Sequence, residues 1–208
     1  MIEQVIRLVQ GDPNDLLLRQ QIVSLLDEMK KSCPFRIQYR IEPIRTSPDG
    51  IVCQHSGLVL EGALAASMLK TCHEIILVLC TLGYPFEQKL AYYQHKDVRL
   101  ALLWDACGSL YIEKKLDEFE NSLPYPYKTD RFSCGYGDLP LSLQPQIAAS
   151  LPDLGVRVLP SHMMFPTKSV SALIGIGTQP QPARIRGCAY CSFHERCAYK
   201  ERGETCGI

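Results

Sequence analysis

The chain reads as an α+β domain carrying a small cysteine-rich appendage, and three observations lead there. Residues 35 to 42 alternate, with Phe35, Ile37, Tyr39 and Ile41 on one face and Arg36, Gln38, Arg40 and Glu42 on the other. Successive strand side chains point to opposite faces, so this is a strand with one wet side, as in antiparallel or mixed sheets. Residues 75 to 79, Ile-Ile-Leu-Val-Leu, are apolar on both faces and fit a central buried strand. Helical-period segments fall among such strands without a regular βαβ alternation, which favours α+β over a doubly wound sheet. The expected architecture is a twisted mixed or antiparallel sheet with flanking helices.

Each element has its local reason. Asp12-Pro13 suits a helix start, and Leu18, Ile22, Leu25, Leu26 and Met29 follow at helical spacing up to Lys30-Lys31. After the alternating strand, Ser47-Pro-Asp-Gly is a turn. Leu58-Val-Leu adds a short strand, and the Ala- and Leu-rich stretch from Glu61 to Thr71 is a helix. The apolar strand ends at Thr81, and Phe86 to Tyr93 is helical. A long helix runs from Asp97 to Phe119, with Leu100, Leu103, Trp104, Cys107, Tyr111 and Leu116 at core spacing; Pro124 and Pro126 close it. Arg131 to Pro140 is a loop with two glycines, Ser142 to Leu151 a short helix, and Val156 to Leu159 and Ser169 to Gly177 strands. Thr178-Gln-Pro-Gln-Pro182 reads as a linker. Two parts follow: a domain over residues 1 to 178 and a module over 183 to 208.

Composition excludes several classes. Lys plus Arg and Asp plus Glu are both 22, so the net charge is zero, where a duplex-coating protein needs a basic excess. At 46% hydrophobic residues the chain is not disordered. No apolar run reaches the roughly 18 residues of a membrane span, and the N-terminus has no apolar signal core, so the expected setting is the cytoplasm, without membrane association. No Gly-x-Gly-x-x-Gly follows a strand, and there is no Walker A sequence and no Gly-x-Ser-x-Gly elbow.

Of the ten cysteines, Cys33, Cys53, Cys72, Cys80, Cys107 and Cys134 are scattered and read mostly as small buried apolar residues. Cys188, Cys191, Cys197 and Cys206 crowd the C-terminus with Cys-x2-Cys at their head. Four thiolates complete a tetrahedral all-sulfur site, and a segment with so little apolar material would take its folding energy from the metal. Zinc and an iron–sulfur cluster both suit four thiolates, and spacing does not choose between them. His194 is a possible substitute for one of the cysteines.

Four short motifs occur in order: Thr81-x-Gly83, a helix from Asp105 to Glu113, Arg131-x-x-x-Gly135-Tyr136, and Pro166-x-x-Ser169-Val170-Ser171. Together they resemble the activation domain of cobalamin-dependent methionine synthase, and more closely the free-standing activation proteins of corrinoid enzymes. The resemblance covers roughly residues 55 to 178. It implies the activation-domain fold and binding of S-adenosylmethionine, with reductive methylation of cob(II)alamin on a separate corrinoid protein that supplies the cobalamin. Carried over, Arg131 pairs with the methionine carboxylate, where its planar fork is apt. Glu113 faces the amino group, Ser133, Cys134 and Gly135 offer backbone groups, and Tyr136 packs on the ligand. Without the resemblance, Glu113 is a solvated helix-face residue, Arg131 the partner of a surface acid, Tyr136 a core residue and the glycines turn formers. The chain departs from the family after Tyr136, where Gly137-Asp138-Leu-Pro follows, and after the Ser-Val-Ser strand, where the cysteine module begins.

Reactivation needs a low-potential electron, which an all-thiolate [4Fe-4S] cluster can supply. The combined expectation is a reactivase component for methionine synthase or another corrinoid protein, fed by a low-potential electron donor. Whether the methyl group is transferred or the ligand only sensed is left open by the sequence. Two other readings stand beside it. One is a non-catalytic docking protein with structural zinc. The other is a zinc-ribbon nucleic-acid binder using Arg184, Arg186, Arg196, Lys200 and Arg202, which the neutral whole disfavours.

Overall fold

The computed structural model describes residues 1 to 185 together with Glu195 and Cys197. The chain divides into two compact units. The first comprises Met1–Gln38, Cys80–Leu123 and Asp153–Val170; the second comprises Tyr39–Leu79, Pro124–Pro152 and the chain from Ser171 onward.

The first unit is mainly helical. It contains α1 (Ile2–Leu8), α2 (Leu16–Ser32), α4 (Gly83–Lys96) and α5 (Val98–Ser122). The expected start of α2 at Asp12-Pro13 is three residues early. Asp12 instead accepts from the Asn14 N–H at 2.8 Å, and Asp15 caps the helix by accepting from the Leu18 N–H at 3.0 Å. An Asp two residues ahead of an N–H closes a local turn as readily as it caps a helix. Asp97 caps α5 as its position suggests, accepting from Arg99 and Leu100. Trp104 is the centre of this core: its ring stacks on Phe86 with centroids 5.6 Å apart, and its indole N–H donates to the Phe86 carbonyl. Gly108 lies against the same Phe86 ring, where a Cβ would come within 2.4 Å of Cε2. Of the predicted core positions, Leu103, Trp104, Cys107, Tyr111 and Leu116 are buried and Leu100 is half-buried. A small hairpin, β5 (Arg157–Val158) with β6 (Met164–Phe165), completes the unit; β6 was not expected from the sequence.

The second unit is built on the sheet. Strand order is β3-β2-β1-β4-β7, with β1 (Arg36–Ser47), β2 (Gly50–Cys53), β3 (Val59–Leu60), β4 (Cys72–Thr81) and β7 (Ser169–Gly177). The predicted turn closes the β1–β2 hairpin, pairing Ser47 with Gly50. β4 lies between β1 and β7, and Ile75, Ile76, Leu77, Val78 and Leu79 are fully buried, as a run apolar on both faces requires. Two short helices, α3 (Ala63–Met68) and α6 (Gln144–Ala149), belong to this unit.

The alternation of β1 fails at two positions, and the first is Tyr39, expected on the dry face but 49% exposed. Glu42 was placed on the wet face, yet it is fully buried. Its Oε2 accepts from the backbone N–H groups of His55 and Ser56, both at 2.8 Å, and so holds the turn between β2 and β3. A buried carboxylate is tolerable when it satisfies backbone donors that would otherwise go unpaired.

Candidate functional site

The motif Arg131 to Tyr136 lies in the second unit, on a segment that pairs with β7. Lys128 bridges to Ile176 and Phe132 to Leu173, both antiparallel. Further backbone bonds run from Thr129 N–H to the Gly175 carbonyl and from Gly177 N–H to the Tyr127 carbonyl. The segment is thus an extra edge strand in all but regularity. Three residues, 129 to 131, stand between its two bridged positions, against two, 174 and 175, on β7. This is a β-bulge, which bends a strand and re-aims its side chains. Where the bulge breaks the ladder, the Thr129 hydroxyl accepts from the Gly175 N–H at 2.9 Å. Gly175 has no side chain because a Cβ there would meet Cys72 Sγ at 2.6 Å.

Beyond the bulge, residues 133 to 139 close a tight loop. Tyr136 N–H donates to the Ser133 carbonyl, Leu139 N–H to the Tyr136 carbonyl, and Gly135 N–H to the Leu139 carbonyl. Gly135 takes φ +85° and Gly137 φ +53°, a left-handed pair that suits glycine. The amide of Gly135 is therefore committed within the loop, so what it presents outward is its missing side chain: a Cβ there would touch only Leu141, at 3.5 Å. Cys134 turns inward and is buried, and burial pushes its thiol up to about 11. Tyr136 is 49% exposed, so it is not a core residue. Arg131 and Ser133 are half-buried.

Asp138 fixes the loop from its far side, a role the sequence reading missed. Its carboxylate accepts from the N–H groups of Ala63 at 2.5 Å and Leu64 at 2.9 Å, at the start of α3. These bonds hold its carboxyl below the ordinary value of 3.8. Gly62, with φ +98°, permits the contact, since a Cβ there would lie 2.7 Å from the Asp138 carboxylate. The signal in the sequence was faint: an Asp after Gly-Tyr-Gly, with its partners 74 and 75 residues away.

The structure thus brings Arg131, Ser133, Cys134, Gly135 and Tyr136 together in one loop. Glu113 lies on the exposed side of α5, in the first unit. Thr81-x-Gly83 and the Pro166 to Val170 part of the last motif also lie in the first unit, and there they are structural. Ser169 Oγ donates to the Pro166 carbonyl at 2.7 Å and shares a hydroxyl–hydroxyl hydrogen bond with Thr81 Oγ1 at 2.8 Å, while Gly83 N–H donates to Thr81 Oγ1 at 2.9 Å. Together these bonds join the end of β4 and the start of α4 to the segment before β7. Lys168 reinforces this corner through an ion pair with Asp105 at 2.8 Å.

Of the metal-ligand candidates, Cys188, Cys191 and Cys206 lie outside the described residues, and so does His194. Cys197 is half-buried. Among the described residues, no group of three or more His, Cys, Asp or Glu could hold a metal ion. Arg184, offered above as part of a basic tail, is instead paired with Asp130 at 2.8 Å.

A search of solved structures gave a likeness over almost the whole chain. The crystal structure of the MetH reactivation domain bound to AdoHcy superposes with a TM-score of 0.60, covering 96% of this chain and 77% of that one at 13% identity. This is the reactivation-domain fold. The α+β architecture expected from the sequence, and the fold implied by the resemblance, are borne out. No family model and no curated protein matches the chain. Among the described residues no helix is long and apolar enough to cross a membrane.

Proposed function

We propose that the protein binds S-adenosylmethionine and its product S-adenosylhomocysteine, and serves the reactivation of a cobalamin-dependent enzyme. The observation that carries this reading is the Arg131–Tyr136 loop, closed by its own backbone bonds, on the fold of a domain whose crystal structure holds AdoHcy. Arg131 takes the ligand's carboxylate in a forked pair. Gly135, with open space beside it, lets the ligand approach the backbone. Tyr136 offers an exposed ring face that attracts the sulfonium cation. Asp138 keeps the loop in place on α3.

The substrate is cob(II)alamin on a separate corrinoid protein, such as methionine synthase. One electron reduces it to cob(I)alamin. The cobalt pair then attacks the sulfonium methyl, breaking the S–CH3 bond and releasing S-adenosylhomocysteine. Cys188, Cys191, Cys197 and Cys206 would hold a [4Fe-4S] cluster, or zinc as a structural staple, in a module spanning 183 to 208. The cluster would relay the electron from a low-potential donor. Iron and acid-labile sulfide in anaerobically purified protein support the cluster; stoichiometric zinc without sulfide replaces it with the staple.

Calorimetric titration of S-adenosylhomocysteine into the full chain tests the binding reading. Saturable binding is expected in the parent protein. Loss of a charge-assisted pair should weaken it by about tenfold or more in Arg131→Ala. Absence of binding in the parent protein overturns the reading.

A further inference from the structure

The residue next to Arg131 holds the chain that leads to the cysteines. Asp130 sits on the bulge and is 8% exposed. One carboxylate oxygen pairs with Arg184 Nη1 at 2.8 Å, and the other accepts from the Ile185 backbone N–H at 3.0 Å. A second anchor lies a few residues upstream. Gln181 is 7% exposed, and its Oε1 accepts from the Thr71 hydroxyl at 2.7 Å and from Cys72 Sγ at 3.3 Å. Gly177 makes room for it, since a Cβ there would lie 2.1 Å from Gln181 Nε2. The stretch read as a free linker is therefore a strap, pinned at 181 and again at 184 and 185. In sequence, Arg186 and Gly187 alone separate the pinned Ile185 from Cys188.

We propose that Asp130 is a positioning residue that couples the ligand loop to this strap. The proposal rests on the binding reading above. Asp130 and Arg131 share the bulge, so a ligand held by Arg131 fixes the backbone from which Asp130 grips the strap. Conversely, a gripped strap limits the bulge to the conformation that presents Arg131. Coupling of two binding events through one element is reciprocal: ligand tightens the strap, and the strap tightens ligand by the same factor. The consequence is that the chain entering the cysteine-rich segment is tethered at the ligand loop through residues 181 to 185 rather than running as a loose linker.

The test uses the full chain, S-adenosylhomocysteine and trypsin. Cleavage after Arg184 requires release of the Ile185 amide from Asp130. Saturating ligand should slow that cleavage by about fivefold, read by mass spectrometry of the fragments. The reciprocal arm is calorimetric: Arg184→Gln and Gln181→Ala, both outside the ligand loop, should each weaken ligand by a few-fold with Arg131 intact. Cleavage that ignores the ligand, or parent affinity in both variants, overturns the coupling while leaving the binding reading standing. No ligand binding to the parent protein overturns both. Two variants guard against a fold defect in either one, and an unchanged melting temperature with lowered affinity separates positioning from simple destabilisation.

Discussion

Glu42 shows how one residue can be fixed by its neighbours against its own chemistry. Its Oε2 holds two backbone donors, while Oε1 is buried without a hydrogen-bond partner among the described residues. Removing the acceptor leaves two N–H groups unpaired, so Glu42→Ala should cost about 3 kcal/mol in urea unfolding. Glu42→Gln keeps one acceptor oxygen for both donors but puts an amide NH2 where Oε1 has no partner, so it should cost less than Glu42→Ala without being neutral. Asp138 gives a pH-dependent counterpart. Its folded-state pKa is depressed, first by the Leu64 N–H and then by the Ala63 N–H. Its contribution is therefore complete above the ordinary value of 3.8 and is lost as pH falls through the lower folded value. The amide resonances of Ala63 and Leu64 should titrate with a midpoint below 3.8. A midpoint at or above that value contradicts the clamp.

At the scale of elements, the helices of the first unit depend on a close crossing. α5 approaches α4 where Gly108 faces Phe86, and a Cβ at 108 would enter the ring at 2.4 and 2.7 Å. Phe86 is fully buried and stacked on Trp104, so the ring has nowhere to go. Gly108→Ala gains helix propensity but should still destabilise by about 1–3 kcal/mol through overpacking. Thermal unfolding of the variant checks it; a stabilised variant would mean the two helices slide apart at no cost. The edge segment 127–132 makes a related point in the second unit. Its bulge trades a regular ladder for two re-aimed side chains, with Thr129 Oγ1 satisfying the backbone donor that the ladder leaves behind.

Across the whole molecule, five of the scattered cysteines, Cys33, Cys53, Cys80, Cys107 and Cys134, are buried and behave as apolar packing, while Cys72 is half-buried and donates to Gln181. Burial pushes Cys107 up to about 12, and burial followed by the Glu42 charge pushes Cys53 up to about 12. Thiols react as thiolates, so at pH 8 iodoacetamide should leave Cys53, Cys107 and Cys134 unmodified in the native chain and label them in urea. Native labelling at Cys134 would show that its loop opens. Much of the fold was legible because period and capping are local properties. The strand begun at 35–42, the apolar run of 75–79, the turn at Ser47–Gly50 and the helix start at Asp97 each need only a few adjacent residues. The motif Arg131-x-x-x-Gly-Tyr was legible for the same reason. The chain itself thus determined the element types, the buried strand and the glycine-bearing loop. Tertiary structure decided the rest: that Glu42 is buried, that Asp138 clamps α3, that Ser169 and Thr81 staple a corner, and that Asp130 grips residues 184 and 185. Each of those outcomes joins a polar side chain to a partner distant in sequence. Hydrophobic patterning carries no signal for such a pairing, because the energy that selects it is the unpaired donor or charge that burial would otherwise leave behind.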